Sequence, residues 1–179
     1  MKLYFIKNIY IIFYIYCIMN IIELAKSKGL WVCCAESLTS GRVAVEITQT
    51  PGSSAAFLGS IIAYTDASKS KLLGIDSDLI IKKTSVSKQV AKYMALGARK
   101  KFAISNSLDV SKVVAVSTTG VAGPSSVGKN EVGTVYIAIA SKFGVKVIKK
   151  KFNGERDQIA DQTSKAVLHL MQKELVCFF

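Results

Sequence analysis

Histidine is almost missing from this 179-residue chain, which carries one, at position 169. A Ser–His–Asp triad would need that single imidazole beside a nucleophile. His169 sits instead in the apolar pattern of the last segment, where it reads as a structural helix residue. Arginine is nearly as scarce, occurring only at 42, 99 and 156, although Lys and Arg together number 24 against 12 acids. The four cysteines, Cys17, Cys33, Cys34 and Cys177, have no CxxC spacing. With one histidine they offer no zinc set, so no metal is expected. They read as buried, reduced thiols of a cytoplasmic protein. Two prolines and twelve glycines leave no room for a low-complexity tract, and no internal repeat is visible.

The net charge of +12 raises the question of a polyanion partner. The lysines are scattered, with local clusters at 82–83, 100–101 and 149–151, and no aromatic–basic stacking patch accompanies them. This is the pattern of a solvated basic surface, and no nucleic-acid partner is expected. Such a field would still draw in a phosphorylated small molecule.

Residues 1–18 differ from the rest. Lys2 and Lys7 precede an apolar run, Ile9 to Ile18, of ten residues. A spanning helix needs about twenty. Beyond the run, Asn20 and Glu23 break the apolar character, and no small-residue cleavage site appears. The expectation is an apolar extension over 1–18, either dispensable or lying ahead of the true start, and one domain over 19–179, with no membrane association.

Within that domain the periodicity predicts helices over 21–28, 43–48, 65–72, 87–102 and 157–175, and strands over 30–35, 57–64, 112–117, 132–140 and 145–152. The 87–102 helix would bury Val90, Tyr93, Met94, Gly97 and Ala98. The short SKFG connection makes the last two strands an antiparallel hairpin. The fold class is therefore α/β, a single domain with a mixed sheet flanked by helices and polar loops at strand ends, where ligands bind.

Polar residues gather at those ends: Glu36 to Gly41, Tyr64 to Lys69, Thr118 to Gly120, and Gly154 to Arg156. Amide hydrolysis needs a nucleophile, a proton acceptor and donors for the oxyanion. With histidine set aside, a Ser–Lys pair is the remaining serine-based option, and a lysine becomes a base when desolvated. Ser37 and Lys69 are one such pair, among many serines and lysines that spacing alone does not tell apart. ESLTSG also reads simply as a helix cap and tight turn.

Taken in order, AESLTSG, PGSSAAF, AYTDASK, LLGI, TSVSKQVA, TTGVAGP, VGTVYIA and GERD resemble the CinA C-terminal domain family over about residues 20–175. Its active members are nicotinamide-nucleotide amidases of the PncC type. The resemblance implies hydrolysis of the carboxamide of nicotinamide mononucleotide to nicotinic acid mononucleotide and ammonia, a step of NAD salvage. It implies Ser37 as nucleophile, Lys69 as its base and Tyr64 as a third member of the site. Thr39, Gly41, Thr119, Gly120 and Arg156 would bind substrate, with Arg156 on its phosphate. No organic cofactor is implied, and a homodimer would be unsurprising. The chain departs from the family in two loops. Ser40 stands where ESxTGG has a glycine, and SSVGKNE, ending in Glu131, replaces a run of glycines and a proline. A catalytically silent nucleotide- or partner-binding module is the competing expectation.

Overall fold

A computed structural model describes residues 20–178. The expected extension over 1–18 lies outside the described residues, as does Cys17.

Five strands form one mixed sheet in the order β2-β1-β3-β4-β5. They are β1 (Trp31–Glu36), β2 (Phe57–Ile62), β3 (Val113–Gly120), β4 (Thr134–Ser141) and β5 (Gly144–Lys151). β1 runs parallel to both β2 and β3, while β4 and β5 are antiparallel to their neighbours. Among the described residues, six α-helices flank the sheet: α1 (Ile21–Ser27), α2 (Arg42–Thr48), α3 (Asp66–Leu73), α4 (Ser77–Lys83), α5 (Lys88–Ser105) and α6 (Arg156–Val176).

The β1 sequence WVCCAE explains its central place. Successive side chains alternate between faces, and both faces of β1 are buried. Val32 and Cys34 point into a core shared with Val43, Ile47, Ile159, Val167 and Met171, on the face covered by α1, α2 and α6. Cys33 and Ala35 point the other way, toward Val90, Met94 and Ala98 of α5. Both cysteines are buried and unpaired, as expected. Cys177 is not buried: it caps the exposed C-terminal end of α6, where its thiol meets the Lys173 carbonyl at 3.4 Å.

Side-chain caps start the helices that matter for the site. The Thr65 side chain accepts from the Ser68 N–H at the start of α3, and Ser87 accepts from the Val90 N–H at the start of α5. α3 packs directly on α5. A Cβ added to Gly97 of α5 would lie 2.1 Å from the Leu73 carbonyl oxygen, so only glycine permits that approach.

Three expectations are corrected. Tyr93 faces solvent at 43 % exposure, because α5 buries Ala91 and Ala95 in addition to Val90, Met94 and Ala98. β3 runs three residues beyond Ser117, since Thr118, Thr119 and Gly120 pair with β4 despite their loop-like composition. α4 was not expected: its heptapeptide SDLIIKK is too short to show helical periodicity.

The topology fixes where a ligand can sit. The loop after β1 leads to α2 on one face, and the loop after β2 leads to α3, α4 and α5 on the other. The crevice between such oppositely directed connections, at the carboxyl ends of parallel strands, is the usual binding place in an open α/β sheet.

Candidate active site

A cavity of about 200 Å³ lies in that crevice, lined among others by Ser37, Tyr64, Lys69, Thr119, Gly120 and Arg156. Six of the eight residues singled out from the sequence are thus brought together from four separate segments. The remaining two, Thr39 and Gly41, are placed elsewhere. Thr39 is fully buried, and its hydroxyl shares a 2.8 Å hydrogen bond with the hydroxyl of Thr118. The Gly41 N–H donates to the Glu36 carboxylate at 2.9 Å. Both residues shape the loop, and neither lines the cavity.

Ser37 follows β1 directly and is 8 % exposed. Its N–H donates to the Thr118 carbonyl at 3.1 Å, which ties the start of the loop to β3. Its hydroxyl has no hydrogen-bond partner among the described residues. The loop then turns tightly. The N–H of Ser40 donates to the Ser37 carbonyl, and that of Arg42 to the Thr39 carbonyl. With Gly41 committed to Glu36, the N–H groups of Leu38 and Thr39 are the two in this loop without a partner among the described residues. Unpaired buried N–H groups are uncommon, and these two directly follow the serine. Ser40 has φ of 50° and Gly41 has φ of 97°. The glycine missing at position 40 therefore belongs to a left-handed backbone that the serine adopts under strain.

Lys69 is carried by the first turns of α3 and is 2 % exposed. Its ammonium donates to the Tyr64 carbonyl at 3.1 Å and lies 3.9 Å from the Asp66 carboxylate. Burial lowers its pKa from the ordinary lysine value, and Asp66 offsets this only in part. Asp66 is largely exposed, so water screens its charge. The result is a lysine that loses its proton more readily than one on the surface.

Arg156 opens α6 and reaches across the cavity mouth. One guanidinium nitrogen donates to the Gly123 carbonyl at 2.8 Å, and another meets the Tyr64 hydroxyl. The N-terminus of α6 already has its anion, because the Glu155 side chain caps it in a reciprocal box with Gln158. Any anion held here depends on the guanidinium and gains little from the helix dipole.

The far wall is the segment around Ser85 and Val86, which belongs to the TSVSKQVA stretch but was not expected at the site. Thr84 has φ of 65°, rare for a β-branched residue and costing about 1–3 kcal/mol. Four hydrogen bonds hold this segment: Thr119 hydroxyl to Ser85 carbonyl at 2.7 Å, Asn130 amide to Val86 carbonyl at 2.8 Å, Ser87 hydroxyl to Thr84 carbonyl at 3.0 Å, and Thr84 hydroxyl to Val86 carbonyl at 3.3 Å. Asn130 belongs to the unusual SSVGKNE loop. There Val127 and Asn130 exchange both backbone hydrogen bonds around Gly128 and Lys129, so the loop is a tight hairpin that sets Val127 at the cavity rim. His169 lies far along α6 on an exposed face and takes no part.

The family model of the CinA C-terminal domain matches residues 17–175. The chain belongs to the CinA C-terminal domain family. A CinA-like protein of Geotalea uraniireducens is 39 % identical over 155 residues, which span 86 % of this chain and 35 % of that protein. The chain thus spans about a third of the length of the curated relatives it matches. Among solved structures, the competence/damage inducible protein CihA of Agrobacterium tumefaciens is 29 % identical, with a TM-score of 0.73 over 88 % of this chain and 96 % of that one. A competence damage-inducible protein of Klebsiella pneumoniae has a TM-score of 0.76 at 19 % identity, covering 90 % of this chain and all of that one. Among the described residues of this CinA-family domain, no helix is long and apolar enough to cross a membrane. Nor does any group of three potential metal ligands come together among them.

Proposed function

We propose that this domain hydrolyses the carboxamide of nicotinamide mononucleotide, giving nicotinic acid mononucleotide and ammonia, with Ser37 as nucleophile and Lys69 as base. The observation that carries the reading is a buried lysine, its pKa lowered by desolvation, sharing one cavity with an unpartnered serine hydroxyl. Neutral Lys69 takes the Ser37 proton as the serine oxygen attacks the carboxamide carbon. The carbonyl oxygen becomes an oxyanion, and the uncommitted N–H of Leu38, a residue that lines the cavity, is the loop donor for it. The Lys69 ammonium then returns its proton to the departing nitrogen, and ammonia leaves. Water, deprotonated by Lys69, attacks the acyl ester and frees the acid and Ser37.

Arg156 is the group for the substrate phosphate, since its planar fork can meet two oxygens at once. A phosphate would draw the guanidinium away from the Tyr64 hydroxyl and leave Tyr64 available to orient Lys69. Arg42 is otherwise engaged. It pairs with Asp157 at 2.7 Å and Asp161 at 2.9 Å, so it fastens α2 to α6.

One observation favours the second reading, a silent binding module. Lys69 is bonded to the Tyr64 carbonyl and makes no hydrogen bond to Ser37. Ammonia release from nicotinamide mononucleotide separates the two readings. Steady release that scales with enzyme supports the amidase, and binding without release supports the module.

A further inference from the structure

Glu36 is a buried carboxylate that the proposed mechanism does not use. It ends β1 immediately before Ser37 and is fully buried. One of its oxygens accepts from the Gly41 N–H at 2.9 Å and the Val43 N–H at 3.2 Å. The other accepts from the Ala44 N–H at 3.1 Å and the Ser60 hydroxyl at 2.9 Å. An ionised carboxylate offers about four lone-pair sites, and all four are filled.

These bonds solve a local problem. The N-cap of α2 is Gly41, which has no side chain to satisfy the first N–H groups of the helix. Glu36 does so from five residues upstream, and its negative charge meets the positive end of α2. The same residue is fixed through its main chain, since its carbonyl accepts from the Ala63 N–H at 2.8 Å. The loop 37–41 is therefore clamped at both ends by one residue. Its N-terminal end leaves the Glu36 backbone, and its C-terminal end hangs on the Glu36 side chain.

We propose that Glu36 is the positioning residue of the nucleophile. It holds the loop in the turn that aims Ser37 into the cavity and leaves the Leu38 and Thr39 N–H groups unclaimed. This inference rests on the Ser–Lys reading. The site favours a carboxylate: in Glu36→Gln one oxygen becomes an NH₂ that faces at least one backbone N–H, so at least one hydrogen bond is lost and a donor is set against a donor, even where the Ser60 hydroxyl turns to accept.

The test uses the full chain and two readouts. One is the kcat and KM for nicotinamide mononucleotide. The other is the rate at which a fluorophosphonate, a reagent for activated serines, labels Ser37. Glu36→Gln should lower kcat and the labelling rate together by about 100-fold, the scale of a small misplacement of reacting groups. KM should stay within about threefold, because the cavity walls that hold substrate come from other segments. Ser60→Ala removes one of the four donors and leaves the backbone clamp in place. It should lower both rates by a smaller factor at unchanged KM, and it carries the test if Glu36→Gln does not fold. Wild-type labelling and kcat in Glu36→Gln, or in Ser60→Ala where that variant is the one tested, would overturn the proposal, as would a loss confined to KM. A wild-type protein inert to both the reagent and the mononucleotide would overturn the Ser–Lys reading itself, and this inference with it.

Discussion

Replacing Ser40 by glycine should make the protein more stable, and three contributions set the size of the gain. Ser40 has φ of 50°, in the left-handed region, where an L-residue is disfavoured by about 1–2 kcal/mol. Glycine removes that cost but gives the unfolded chain more freedom, which takes back roughly 0.4–1 kcal/mol. The serine hydroxyl also donates to the Ser37 carbonyl, but at 3.4 Å, so its loss falls at or below the low end of about 0.5–1.5 kcal/mol. The net expectation is a gain of about 0.5 kcal/mol, or a Tm higher by roughly 1–2 °C for a domain of this size. Differential scanning calorimetry on wild type, Ser40→Gly and Ser40→Ala measures it. The alanine variant keeps the strained backbone and loses the hydroxyl, so its Tm should fall slightly. A lower Tm for Ser40→Gly than for Ser40→Ala would refute the strain argument, because the two differ mainly in their tolerance of positive φ.

Two further tests address the chemistry. Because burial lowers the Lys69 pKa, the folded chain gives up that proton before the unfolded chain does. Between the lowered value and the ordinary 10.5 the unfolded state binds more protons, so stability should rise with pH across that window. In Lys69→Met this contribution should vanish along with turnover; equal slopes of Tm against pH in the two proteins would argue that the lysine titrates as a surface group. Arg156→Lys should weaken the mononucleotide by about 1–3 kcal/mol, the scale of a charge-assisted hydrogen bond. Nicotinamide riboside, which lacks the phosphate, should be barely affected, and equal losses on both substrates would mean that Arg156 supports the cavity wall instead of reading the phosphate.

The sheet was legible because LWVCCA is a continuous apolar run and KVVAVS a largely apolar one, both of strand length and fit for burial on two faces. The hairpin β4–β5 was legible from its short connection. α4 escaped notice because seven residues span barely two turns. The end of β3 escaped because Thr118–Thr119–Gly120 has the composition of a turn, whereas pairing with β4 decides its conformation. In the site, polar residues next to strand ends marked Ser37, Lys69 and Arg156, and the fold brings all three to one cavity. Thr39 and Gly41 were expected at the substrate because AESLTSG resembles the family's loop. The tight turn instead commits the Thr39 hydroxyl to Thr118 and the Gly41 N–H to Glu36. Ser85, Val86 and Val127 lay in stretches marked by the resemblance, TSVSKQVA and SSVGKNE, but their place at the cavity depends on the tertiary hydrogen bonds of Thr119 and Asn130. Glu36 did leave a signal: a glutamate ending an apolar strand, five residues ahead of a helix whose cap is glycine, has a carboxylate to bury and N–H groups to bury it against.

The central claim is that Ser37 attacks the carboxamide with Lys69 as its base. Its most direct test is ammonia release from nicotinamide mononucleotide by the purified wild-type protein and by Ser37→Ala, side by side. Ser37 lies in a loop outside both apolar cores, so the variant should keep the wild-type circular dichroism spectrum. The account expects steady release by wild type and a loss of several orders of magnitude in Ser37→Ala, on the scale seen when a nucleophile is removed. A folded Ser37→Ala protein that retains more than about a tenth of wild-type turnover would contradict it, since such losses accompany true removal of a nucleophile.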